Sequence, residues 1–425
     1  MRPFVELGAL VESRWREQNY NEESFPAIAA EALGELRLDH RVDPWEIIRW
    51  VHQTPALPEQ MDLDGKFGNP PLTLYVGPRF QIDVYYWLDG TTSIHQHAFS
   101  GAFQVLLGSS VHANYRFEKE KEINPHFLTG QVLLSNVYLL TKGDIREIAH
   151  GPQFIHSLFH LDRPSATITI RTNHSNRASV QYAYRRPFLA YDPFFTDVSL
   201  TKKIQTVSLL LNMKHPEADR FIEELVDSSD FQTSYSVLQI AFEFLCHREL
   251  EEIVGLSRSR DRFHALLARA HSKHGKLADL LLPVFEEEWR QKDITHRRAE
   301  IKGEDHRFFL ALLLNVPERT RVLELVKERF PHEDPVELVV GWVRELTATK
   351  IFGSREPNVL GLANFDEGHL FVFGGLLEGL TVQEIQTRAA ANIGPAAKLE
   401  LSIADVANHI RNLSLFKSIF VPAGD

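Results

Sequence analysis

Between residues 70 and 185 the chain reads as a succession of short alternating runs, and nothing else restricts its fold as strongly. Residues 72–76, 80–88, 103–107, 112–117, 131–140 and 166–172 mix apolar and polar side chains near a period of two. That period puts every second side chain on one face of a strand. Gly77-Pro78, Asp89-Gly90, Gly108-Ser-Ser110 and Lys142-Gly-Asp144 interrupt the runs, as turn residues between strands do. Short strands at this spacing predict a β-sandwich or barrel. The flanks have a different texture. Residues 6–17, 25–36 and 44–52 carry apolar residues at helical spacing, and Asp43-Pro44 is a helix start with proline in first position.

Beyond the basic and aromatic turn at 184–188 the pattern is helical again. Phe263, Leu266, Leu267 and Ala270 mark one amphipathic helix, and Leu277, Leu280, Leu281, Val284, Phe285 and Trp289 another. Further helices are expected at 304–315, 318–330 and 335–347. Two more near the end have capping signals, with Thr381 three residues before Glu384 and Ser402 three before Asp405. The expected division is a helical segment at 1–60, a β-barrel at 61–190, an α-helical domain at 191–350 and a small helix-turn-helix-like unit at 351–425. The class is therefore α+β.

Bulk properties narrow the function. The 425 residues suffice for two or three domains with buried cores. A net charge of −11 argues against a general nucleic-acid binder. No apolar run approaches the ~20 residues that span a bilayer, and the first residues lack the shape of a signal peptide. The single cysteine, Cys246, excludes an intrachain disulfide and fits a reducing cytoplasm. Its apolar helical surroundings predict a buried structural thiol.

The chemistry concentrates at His95-Gln96-His97. Histidines at i and i+2 on a strand point to the same side, so two imidazole nitrogens can converge on one transition metal. The segment from Gly90 through the His-x-His pair to the closing Gly108 resembles the first conserved motif of the cupins. The segment from Gly143 to Pro164 resembles their second, which selects His156 as third ligand, with His150 and His160 as rivals. A closer resemblance is to the cysteine-dioxygenase-like branch, the thiol dioxygenases, carried by the strand 80–88 and the element Ser93-Ile-His-Gln-His97. It covers about residues 70–175.

The resemblance implies a cupin-type barrel (a double-stranded jelly roll) and iron(II), or another divalent transition metal, held by His95, His97 and His156. It also implies dioxygen and a small-molecule substrate. The acid of the commoner cupin motif falls on Gly101, consistent with three neutral ligands. Other positions depart from the branch: no arginine lies near 72–75, Ala102 stands at the crosslinking cysteine, and Thr167, Thr169 and Arg171 replace its Ser, His and Tyr. The substrate expected is therefore another small anionic or amino-acid-like molecule, with Arg171 as a charge-assisted fork for its anionic group. Tyr85 or Tyr86 should face the cavity, His112 is a candidate to support a ligand, and Gln104, on the opposite parity, should contact a neighbouring sheet. The alternative is a non-catalytic metal- or ligand-binding sensor that signals through the helical domain. That domain is also the expected surface for a homo-oligomer or a protein partner.

Overall fold

The alternating segments form two antiparallel sheets. The computed structural model describes all residues except 64, 66, 174–179, 249–254, 355, 393–401 and 421–425. Its strands in chain order are β1 (Pro71–Val76), β2 (Phe80–Trp87), β3 (Ile94–His97), β4 (Gly101–Leu107), β5 (Ser110–Asn124) and β6 (Phe127–Leu140). They continue with β7 (Ile145–Ile148), β8 (Gly151–His160), β9 (Ser165–Thr172), β10 (Ala183–Arg185) and β11 (Leu189–Tyr191). One sheet has the order β1-β2-β9-β4-β7. The other, β10-β11-β6-β5-β8-β3, closes on itself because β10 pairs with β3. Together they make a two-sheet antiparallel β-barrel with helices before it and a large helical region after it.

Four helices precede the barrel: α1 (Arg2–Glu17), α2 (Phe25–Leu36), α3 (Leu38–Arg41) and α4 (Pro44–Gln53). Asp43 caps α4 by accepting the Trp45 amide at 2.9 Å. Their apolar faces cover the outside of the open sheet, where Ile82, Val84, Tyr86, Ile168 and Ile170 share a buried cluster with Phe4, Leu7, Phe25 and Leu33. Strand alternation then turns Gln81, Asp83, Tyr85, Thr167, Thr169 and Arg171 toward the interior.

After the barrel come α5 (Val198–Asn212), α6 (Ala218–Ser228), α7 (Phe231–Glu243), α8 (Gly255–His274), α9 (Leu281–Glu300) and α10 (Glu304–Asn315). The chain ends in α11 (Arg319–Arg329), α12 (Pro335–Ala348), α13 (Glu367–Glu378), α14 (Val382–Asn392), α15 (Ile403–Asn412) and α16 (Ser414–Phe420). The outer face of the closed sheet (Ile94, Val111, Ala113, Ile155 and Phe159) joins one apolar core with residues of α9 to α16. The stretch expected as a separate unit at 351–425 thus shares a core with α10 and α12. A second cluster holds α5 to α9 together with Phe127 and Leu189.

Two buried arginines fasten the helices to the barrel. Arg298 donates to the carbonyls of Gly90 and His160, and Arg307 reaches the Leu161 carbonyl at 3.2 Å and Asp89 at 3.0 Å. Cys246 is buried, as expected, and burial pushes its thiol up to about 11. At the C-terminal helices the Thr381–Glu384 capping box forms in both directions, whereas Ser402 makes no side-chain cap bond. No described helix is long and apolar enough to cross a membrane.

Candidate metal centre

His95 and His97 lie on β3, and β8 places His156 opposite His95. Alternation turns all three inward, while Ile94, Gln96 and Ile155 face outward. Among the described residues these three histidines are the one group whose ligand atoms fall within 4.8 Å of one another in a way that could hold a metal ion. His97 Nε2 is 2.9 Å from His156 Nε2. Two nitrogens each about 2.0–2.1 Å from one ion would be separated by roughly 3.0–3.4 Å, so the rings already stand at nearly that spacing.

The proton positions also fit. His95 Nδ1 lies 2.7 Å from the Ser93 carbonyl, an acceptor only, so Nδ1 carries the proton and the Nε2 lone pair is available. His156 Nδ1 lies 2.9 Å from His112 Nε2. Burial, with lesser contributions from the charges of Arg146 and His95, lowers His112 to about 3, so its ring is neutral and can accept that proton. With His112 accepting, His156 Nε2 is left as a lone pair; with His112 donating, the His156 proton would sit on Nε2, toward His97. Burial holds His95, His97 and His156 below the usual histidine range, and neighbouring cationic forms add to this for the last two. Three neutral imidazoles therefore aim at one point, and His97 Nδ1 and His112 Nδ1 have no hydrogen-bond partner. The donor set suits a borderline transition metal. Phe99, Phe103 and Phe154 surround the rings, with centroids 4.5 Å from His97 for Phe99 and 4.5 Å from His156 for Phe154.

At Gly101 the missing acid has a steric cause. A Cβ there would stand 1.9 Å from the Ile170 carbonyl oxygen, because β4 and β9 approach closely at this pair. A glutamate could not enter without parting the ladder.

The rival histidines are elsewhere. His160 stacks on Trp87 with centroids 4.7 Å apart, and its Nδ1 bonds the Ser165 hydroxyl at 2.8 Å. His150 lies in the turn before β8 and is not one of the convergent group. Of the two tyrosines only Tyr85 reaches the interior. Tyr86 is a correction: its even parity sends it into the N-terminal helical core, where its hydroxyl donates to the Pro44 carbonyl at 2.5 Å. Gln104 faces away from the three histidines, but in place of the expected contact with a neighbouring sheet it donates to Asp39 of α3 and to the Gly143 carbonyl in the turn before β7.

Arg171 lies over Phe99 with its guanidinium carbon 4.4 Å from the ring centre. Phe99 thus stands between Arg171 and His97. Arg171 Nε is buried without a partner. The Tyr85 hydroxyl donates to Asp83 at 3.1 Å, and Thr73 and Gln81 each donate to the same carboxylate at 2.8 Å. Burial and the Asp83 charge raise Tyr85 above its ordinary range, so the phenol keeps its proton. Arg171, Tyr85, Asp83 and Thr73 line a cleft of about 480 Å³ closed on one side by residues 60–63.

Sequence reasoning missed Gln96. Its side chain, buried between the two ligand positions, donates to the Val180 carbonyl at 2.6 Å and accepts from the Tyr184 hydroxyl at 2.5 Å. The signal was available in parity: a polar residue between two inward histidines must face outward and, if buried, needs partners.

No protein-family model and no curated protein sequence matches the chain. Solved structures with a likeness to it include hydroquinone 1,2-dioxygenase from Sphingomonas sp. TTNP3 with 4-hydroxybenzoate bound, at 9% identity over 25% of this chain and 68% of that one, TM-score 0.20. A cupin-2 domain from Rhodospirillum rubrum matches at 11% identity over 29% and 70%, TM-score 0.19. A DMSP lyase from Ruegeria pomeroyi DSS-3 matches at 15% identity over 29% and 55%, TM-score 0.19. Likenesses at this level assign no reaction to this chain.

Proposed function

We propose that the chain is a mononuclear iron(II) oxygenase that acts on a small anionic molecule. The observation behind this reading is the convergence of His95, His97 and His156 as neutral donors with no carboxylate among them. Iron(II) held there would supply redox chemistry with dioxygen and Lewis acidity, with its charge left for an anionic substrate to balance.

The remaining residues bind and orient. Arg171 takes the anionic group of the substrate, since its buried Nε–H has no protein acceptor. Asp83 fixes the Tyr85 hydroxyl beside that anion, and the protonated phenol is a donor to a substrate oxygen only if it turns from Asp83. Phe99, Phe103 and Phe154 exclude water from the imidazoles. Phe99 must move, or the substrate must pass it, for one molecule to touch both Arg171 and the metal ligands.

A second reading, a non-catalytic sensor, is favoured by one observation: the closed sheet that carries the ligands shares its outer face with the core of α9 to α16. The two readings separate in one experiment. Anaerobic loading with iron(II) should give roughly one metal per chain, as a mononuclear site requires, and oxygen uptake should follow addition of a thiol, amino-acid or other small carboxylate from a panel. Unchanged metal content in a His95→Ala/His156→Ala double variant sinks the site. Metal binding with a ligand-induced change of oligomeric state and no oxygen uptake supports the sensor. Turnover without oxygen would instead mean isomerase or lyase chemistry.

A further inference from the structure

A second cavity, of about 590 Å³, lies outside the closed sheet between the barrel and helices α7, α9 and α10. Its size falls within the roughly 300–1,000 Å³ of pockets that take small organic molecules, which often sit between domains. Ser93, Ser157 and Arg186 belong to its barrel wall. Phe242, Phe285 and Trp289 form an aromatic wall on the helical side.

The charges around it do not cancel. Arg185 pairs with Glu288 at 2.6 Å and Lys292 with Glu243 at 2.5 Å. Arg186 and Arg290 both pair with Glu287, at 3.0 and 2.7 Å. One carboxylate thus serves two guanidiniums, and the cluster carries one cation more than it has anions. Burial, partly opposed by Arg185, also raises the Glu288 carboxyl, which weakens the negative side further. Arg186 Nε is buried and has no acceptor. An unsatisfied buried donor and an uncompensated buried charge are both costly, and a single anion placed at Arg186 relieves the two together.

The geometry points to this cavity as a second small-molecule site, distinct from the metal centre, for a carboxylate carried on an aromatic or aliphatic body. The carboxylate meets Arg186 and the body lies against Phe242, Phe285 and Trp289. The site is also placed to communicate with the metal ligands. The Ser93 carbonyl holds His95 Nδ1, and Ser157 is the chain neighbour of His156, so both ligand strands expose their backs to this cavity.

Calorimetric titration of the chelator-treated full-length protein tests the proposal, with benzoate and hexanoate as probes and inorganic phosphate as a bare anion. Removing metal keeps the carboxylates from binding at the histidines, and an Arg171→Gln background for every titration removes the guanidinium of the first cleft. Benzoate or hexanoate should saturate a single site at least about tenfold more tightly than phosphate. Arg186→Gln should weaken that binding by about tenfold or more. Ala299→Trp, at an exposed position of α9 that lines the cavity and lies outside the ion pairs, should block it, which keeps the test decisive if Arg186→Gln fails to fold. His156→Ala should leave it intact. Phosphate binding as tightly as benzoate, undiminished binding in Ala299→Trp, loss of binding in His156→Ala, or no saturable binding would each overturn the proposal.

Discussion

His156 is engaged at both ring nitrogens, one toward His97 and one toward His112. That puts His112 in position to set the tautomer of a proposed metal ligand, a role more often filled by a carboxylate or a carbonyl. Replacing His112 with alanine should weaken metal binding by roughly 10–100-fold while leaving the three ligands in place. Competition against a calibrated chelator would measure this, and wild-type affinity in the variant would remove His112 from the centre. Gly101 behaves differently. Because its missing Cβ would collide with backbone and not with a movable side chain, even Gly101→Ala should lower the melting temperature by several degrees. Gly101→Glu should destabilise further without improving metal affinity. An alanine variant that melts like wild type would contradict the close β4–β9 approach.

At the level of elements, the strand carrying two of the proposed ligands is only four residues long and has few ladder bonds of its own. It is held from outside by β10 and the residues before it: the Gln96 amide nitrogen donates to the Tyr182 carbonyl at 3.0 Å, and its side chain to Val180. Gln96→Leu strands the buried Tyr184 hydroxyl and the Val180 carbonyl. The expected cost is about 1–3 kcal/mol in denaturant unfolding, accompanied by weaker metal binding because β3 loses its support. A stable variant with weakened metal affinity would still fit a positioning role; unchanged stability and unchanged affinity together would exclude it. The long hairpin of β5 and β6 extends well past the predicted strand ends. Its outer half, from Glu118 to Glu122, is a run of alternating charges with no apolar face, so periodicity gave no sign of a strand there. Pairing with β6 carries it on.

On the scale of the whole molecule, the barrel and the helical region meet through ions as well as through apolar surface. Burial would raise the Glu287 carboxyl, but Arg186 and Arg290 outweigh it and hold the group at about 2. A carboxyl lowered on folding adds stability that is complete above its unfolded value near ~4.3 and is lost as pH falls toward about 2. Unfolding free energy should therefore decline across that acidic window, and Glu287→Gln should flatten the decline. The neighbouring Glu288, raised by burial, acts in the opposite direction, so the difference between wild type and variant is the informative quantity. Parallel curves for the two proteins would show that the Glu287 cluster does not join the two regions.

Much of this architecture was legible in the residues alone. Period-two runs between helical flanks pointed to a β-sandwich or barrel within an α+β chain, the helix at Phe25–Leu36 was readable to its ends, and the His-x-His pair required two imidazoles on one side of a strand. These are local properties, set by the geometry of a single strand or helix. Alternation states which side chains share a side, but not which side is inward. Only the packing of α1 and α2 on the open sheet sent Tyr86 outward and left Tyr85 at the cavity. The motif resemblance singled out His156 but kept His150 and His160 as rivals; the pairing of β3 with β8, where His95 faces His156 but His97 faces Gly151, is what brings His156 and not the other two beside the His-x-His pair. The cavity behind the ligand strands and its unbalanced ion cluster arise from residues more than a hundred positions apart, such as Arg186 and Arg290, whose meeting no local pattern encodes. That is a matter of tertiary register, decided by which apolar faces the chain could bury together.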